Sequence, residues 1–211
     1  MASEETTQHI ESMTEGAPSR AILNFALPLI LGYILQQMYL IIDAAIVGRW
    51  IGVEALAAVG ASSSIMFLIM GFCNGSCAGF AIPVAQAFGA KDYHKMRCYV
   101  SNAMRIALVL AIVITLLSCF LCDKILQMVN TPEDIFHDAY VFLFLQFCTI
   151  PFTIAYNLLS GQIRALGNSK QPFYFLLASS FLNIFLDIYF ITSLKMGIDG
   201  AAVATVIAQA I

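Results

Sequence analysis

Charge is what this sequence has least of. Only 11% of its 211 residues are Asp, Glu, Lys or Arg, while 60% are hydrophobic. A soluble domain carries about 25% charged and roughly 45–50% apolar residues, so a water-soluble domain and a disordered chain are both excluded. A basic stripe is also missing. The net charge of −3 argues against nucleic acid as a partner. The N-terminus lacks a positive region: residues 1–19 hold Glu4, Glu5, Glu11 and Glu15 but no Lys or Arg. They do not read as a secretory signal and are expected to form a short solvated tail. Metalloprotease, hydrolase-elbow, P-loop and dinucleotide-turn motifs are absent. The sequence therefore carries no enzyme signature, and no organic cofactor is expected.

The few charges cluster. None falls in 21–42, 55–90, 106–122, 139–163, 171–186 or 200–211. A spanning helix needs about 20 apolar residues, and continuous apolar runs exclude alternating barrel strands. The fold class is all-α, a polytopic membrane helix bundle of about six spans. They are placed at 22–47, 56–85, 98–121, 138–163, 172–193 and from 200 onward. Turn chemistry lies between them, at Gly48 to Gly52, Gly89 to Asp92, Asn130 to Glu133 and Gly167 to Pro172. Thr131 is a candidate N-cap with Pro132 at the first helical position. His94 and His137 are expected in solvated loops. The last run, 200–211, rises only about 18 Å as a helix, so the sixth helix is expected to be incomplete and the chain to be a fragment.

Six Lys and Arg residues (Arg20, Lys91, Lys95, Arg97, Arg164, Lys170) fall on one side and three (Arg49, Lys124, Lys195) on the other. The first side is cytoplasmic by the positive-inside rule, and the N-terminus with it. Arg105 sits about two turns into the third span.

Two acids lie inside apolar spans, Asp43 and Asp187. Such residues are costly, and functional by default. Asp43 lies six residues before Arg49, Asp187 eight before Lys195, and Thr205 six after Asp199. All three therefore sit about 9–12 Å below the outer charge boundary. Asn183 is one turn deeper on the face of Asp187. This grouping makes an oxygen-rich pocket in the outer half of the membrane. Two carboxylates close together in a low dielectric share a proton or hold a cation, and Asn183 and Thr205 can add neutral oxygen ligands.

Other features are less specific. Gly71, Gly75 and Gly79 form a doubled GxxxG stripe suited to close helix packing. Gln36 and Gln37 are candidates to line a cavity. Pro28 and Pro151 can kink their spans. The six cysteines carry at most a weak zinc signal and read as free thiols, mostly buried.

Several segments together resemble the N-terminal half of multidrug and toxic compound extrusion (MATE) transporters. They are Pro28-Leu29-Ile30, Gln37-Met38-Tyr39 leading to Asp43, Val47-Gly48-Arg49, Ala55 to Gly60, Gln86 to Ala90, Arg164 to Asn168 followed by Pro172, Asn183 to Asp187, and Gly197 to Thr205. The resemblance implies one lobe of a twelve-helix, two-lobe transporter, with a tail at 1–20 and the lobe at 21–211. It implies export of small cationic or amphipathic drugs in exchange for protons or sodium, by alternating access across the plasma (inner) membrane. It also implies a cation site, for a proton or Na+, at Asp43, Asn183, Asp187 and Thr205, with a backbone carbonyl from Ala201. The remaining partners would be the lipid bilayer and a C-terminal or second lobe. Two alternatives stand beside this reading. One is a non-transporting membrane module or truncated half-transporter. The other is a flippase for lipid-linked saccharides of the same superfamily, ranked lower because only Arg105 offers a basic group within a span.

Overall fold

The computed structural model describes residues 18–50, 52–196 and 198–210. Those residues form helices: α1 (Pro18–Trp50), α2 (Val53–Gly89), α3 (Tyr93–Met128), α4 (Glu133–Cys148), α5 (Ile150–Ala165), α6 (Lys170–Ile188) and α7 (Ile198–Ala210). A π-helical turn, Tyr189–Ser193, continues α6. Five helical stretches are long and apolar enough to cross a membrane, with α4 and α5 together making one. The thirteen residues of α7 follow as a further element. Most of the expected tail, residues 1–17, lies outside the described residues, as do Ile51, Gly197 and Ile211. The first helix, α1, begins at Pro18.

The helices overrun the predicted spans at most ends. Low charge marks the hydrocarbon segment, whereas backbone hydrogen bonding continues into the interface. His94 and His137 accordingly lie in α3 and α4 rather than in loops, although both are exposed. At the start of α4, Pro132 rather than Thr131 takes the N-cap position, and it caps with no side-chain bond. The Thr131 hydroxyl has no partner.

Two connections show how local chemistry sets direction. Asp92 caps α3: its Oδ1 accepts from the Lys95 N–H at 3.0 Å, and its Oδ2 pairs with Lys95 Nζ at 3.0 Å. These contacts hold its carboxyl below the usual carboxylate range. After α5, Gly167 has φ 89, a left-handed conformation that favours glycine. The Gly167 and Asn168 N–H groups donate to Arg164 and Ile163 carbonyls, closing the helix end. The Asn168 carboxamide then accepts from the N–H groups of Lys170 and Gln171 and starts α6.

The bundle packs around α2, which touches α3, α4 and α5; α1 lies against α6, and α7 against α4 and α6. Fully buried side chains include Leu126, Leu143, Phe147, Ile150 and Ile154. Large apolar side chains such as Phe67, Phe120 and Phe181 point outward, as lipid-facing surface requires. Small-residue packing occurs, but not where the GxxxG stripe predicts. A Cβ added at Gly71, Gly75 or Gly79 meets nothing within 4 Å, whereas one at Gly161 meets Ala81 at 3.5 Å and the Cys77 carbonyl at 3.7 Å. The buried stripe Ala103, Ala107, Ala111 does the same on α3. A GxxxG spacing identifies a smooth helix face without saying which neighbour covers it.

The fourth span breaks at Thr149. Pro151, in the first turn of α5, lacks the N–H that would continue the helix ladder. The Thr149 N–H and hydroxyl both turn to the Gln146 carbonyl, at 3.0 and 2.7 Å. The six cysteines are free thiols; Cys73, Cys77 and Cys122 are buried, Cys119 and Cys148 half-buried and Cys98 exposed.

Candidate functional site: a carboxylate pair among three helices

The predicted acids and their neighbours come together where α1, α6 and α7 meet. Asp187 is 0% exposed, Asn183 2% and Thr205 4%, and Asp43 is half-buried. Helical spacing explains the convergence on α6, where Asn183 and Asp187 are one turn apart. On α1, Asp43 lies just before buried Ile46 and Val47, on the part of that helix pressed into the bundle.

The polar contacts form one network. The carboxyl groups of Asp43 and Asp187 are within hydrogen-bonding reach of each other. With its nitrogen toward α7, Asn183 donates to Thr205 Oγ1 at 3.3 Å. With the carboxamide turned over, its nitrogen donates to Asp187 Oδ2 at 2.7 Å and its oxygen accepts from the Thr205 backbone N–H at 3.3 Å. The second orientation satisfies both ends of the amide. The Thr205 hydroxyl donates to the Ala201 carbonyl at 3.0 Å, so that carbonyl lies at the edge of the same group. Two oxygens remain without a partner, Asp43 Oδ1 and Asp187 Oδ1. A buried unpaired acceptor is costly, and more so when charged. The network is thus short of positive charge, or of donated protons.

One member was not foreseen. Tyr39, one turn before Asp43, brings its hydroxyl close to Thr205 and to both carboxylates. The i, i+4 spacing from Asp43 was the available signal, but a tyrosine in an apolar helix reads first as packing or interface. Gln36 shares the helix face of Asp43, two turns away, and Gln37 is about 100° round from it. Both are exposed, and the structure brings neither to the carboxylate pair. Among the described residues no group of three or more His, Cys, Asp or Glu side chains gathers. The donor set is all oxygen, which suits a proton or a hard cation and not a soft transition metal.

The family model for MatE matches residues 28–189. The chain belongs to the multidrug and toxic compound extrusion (MATE) family. A probable multidrug resistance protein of Bacillus subtilis, YoeA, is 32% identical over 210 residues, covering 96% of this chain and 45% of the relative. A MATE crystal structure in the bent conformation superposes with a TM-score of 0.86 at 25% identity, over 92% of this chain and 43% of that one. A transporter of the MOP superfamily from Pyrococcus furiosus, described as having a binding pocket of reverse polarity, superposes with a TM-score of 0.89 at 24% identity, over 96% and 44%. The chain thus spans about half the length of the curated relatives it matches. MATE structures have twelve helices in two lobes, and this bundle corresponds to one of them. Members of the family are multi-pass membrane transporters, not enzymes.

Proposed function

We propose that this chain is the N-terminal lobe of a cation-coupled antiporter that exports small cationic or amphipathic drugs. The observation that carries the proposal is the Asp43–Asp187 pair with one unpartnered oxygen on each carboxyl group. A proton shared by the pair, or a sodium ion between them, would remove that deficit. Sodium would take ligands from Asp43, Asp187, the Asn183 oxygen, the Thr205 hydroxyl and the Ala201 carbonyl. The Asn183 oxygen and the Ala201 carbonyl each already accept a bond from Thr205. Ion binding would therefore compete with the Asn183–Thr205 contact that ties α6 to α7 and with a bond inside α7, and the pair itself bridges α1 to α6. Those competing contacts are a route from ion occupancy to helix position, with α1 bending or shifting to close a cavity and release substrate outward. The coupled transport belongs to the whole two-lobe protein, with the N-terminus cytoplasmic in the plasma membrane.

The flippase alternative needs basic groups where a pyrophosphate would lie. Arg105, its one candidate within a span, is exposed on α3, away from the carboxylate pair, which favours the antiporter. In cells expressing the full-length protein, Asp43→Asn and Asp187→Asn are expected to abolish gradient-driven efflux of a cationic dye while leaving membrane expression intact. Wild-type efflux in either variant would sink the site assignment.

A further inference from the structure

Arg97 and Arg105 take no part in the carboxylate site. With His94, Cys98, Ser101 and Asn102 they line a hollow of about 380 Å³ near the start of α3. At about 100° per residue, these six positions fall on one side of α3, opposite the buried stripe Ala103, Ala107, Ala111. All six are exposed. The hollow therefore faces outward from the bundle. Continuing along the same side toward the middle of the membrane, the surface turns apolar, with Leu108, Ile112 and Leu116 all exposed.

The charge is one-sided. Among the described residues neither guanidinium has a carboxylate within ion-pair distance; the ion pair nearby joins Asp92 to Lys95, which does not line the hollow. Guanidinium groups present planar forks that match phosphate oxygens. Ser101 and Asn102 add neutral donors between them. From His94 to Arg105 the helix rises about 16 Å, enough to reach from the headgroup zone to the top of the acyl chains, and arginine can extend back toward the interface. No acidic side chain lines the hollow, so it offers nothing to the ammonium of a zwitterionic headgroup.

We propose that this hollow binds the phosphate of an anionic phospholipid in the cytoplasmic leaflet, with its acyl chains along Leu108, Ile112 and Leu116. The test uses the full-length protein in nanodiscs of mixed phosphatidylglycerol and phosphatidylcholine, followed by analysis of the lipid that stays bound. The wild type is expected to retain phosphatidylglycerol preferentially. R97Q/R105Q is expected to lose that preference by roughly thirtyfold, about fivefold per guanidinium. If the double variant does not fold, R97Q and R105Q singly are expected to show about fivefold each. K91Q/K95Q removes equal charge outside the hollow and is expected to change retention far less. Equal retention of both lipids by the wild type would overturn the proposal, as would an equal loss in the lysine variant. Displacement of the lipid by millimolar inorganic phosphate would also overturn it, since the hollow would then be a site for free anions.

Discussion

A carboxylate with no exposure and an orphaned oxygen, as in Asp187, has to find a proton or a cation. Tyr39 lies beside that requirement. Its hydroxyl sits close to Thr205 and to both carboxylates, so Tyr39→Phe removes a neighbouring hydroxyl and no charge. We expect efflux to survive, with the ion concentration for half-maximal transport raised by roughly two- to tenfold; an unchanged ion dependence would place Tyr39 outside the network. Asp92 tests a purely structural contact. Because its partners hold its carboxyl below the usual range, the charged cap contributes stability above the ordinary carboxylate pKa of about 4 and loses it only as pH falls through the lowered value. Asp92→Ala should speed hydrogen exchange at the Lys95 amide at neutral pH, and Asp92→Asn should spare part of the protection. Equal exchange in all three proteins would remove the cap from the account. Asp43, Asp187, Asn183 and Thr205 were legible in the sequence because polar groups in apolar spans stand out and helical rise converts spacing to depth. Tyr39 was not, because its chemistry is ambiguous until its neighbours are known.

Among the elements, the break between α4 and α5 and the contact at Gly161 carry the clearest expectations. Pro151 was legible as a kink from its missing N–H alone. With Pro151→Ala the ladder can close across Thr149, so spin labels at His137 and Leu159 should move apart as α4 and α5 straighten; an unchanged distance would assign the break to tertiary packing. Gly161 was not legible as a contact, since only the fold brings Ala81 and the Cys77 carbonyl against it. Gly161→Leu should destabilise the protein by about 1–3 kcal/mol through overpacking, and more than Gly75→Leu, whose added Cβ meets open space. Thermal unfolding of the two variants compares them, and a reversed order would contradict the packing described. The π turn Tyr189–Ser193, which begins two residues after Asp187, was likewise invisible in the sequence: its i→i−5 bond from the Leu194 N–H to the Tyr189 carbonyl has no residue signature. Such turns recur at functional sites.

For the whole molecule, hydropathy and charge gaps were enough to identify a helical bundle in a membrane, and the order of short segments to identify the family. Which faces meet was not legible, because lipid-facing and core-facing side chains are equally apolar in a bilayer. The α1, α6, α7 junction unites residues up to 166 positions apart, from Tyr39 to Thr205, and sets half-buried Asp43 against buried Asp187. The most direct test uses the full-length protein in proteoliposomes, with proton and sodium gradients imposed separately and dye movement followed. We expect one of the two gradients to drive transport by the wild type, and neither to do so in Asp43→Asn or Asp187→Asn. Transport at the wild-type rate in those variants, or wild-type transport indifferent to both gradients, would contradict a coupling role for the carboxylate pair.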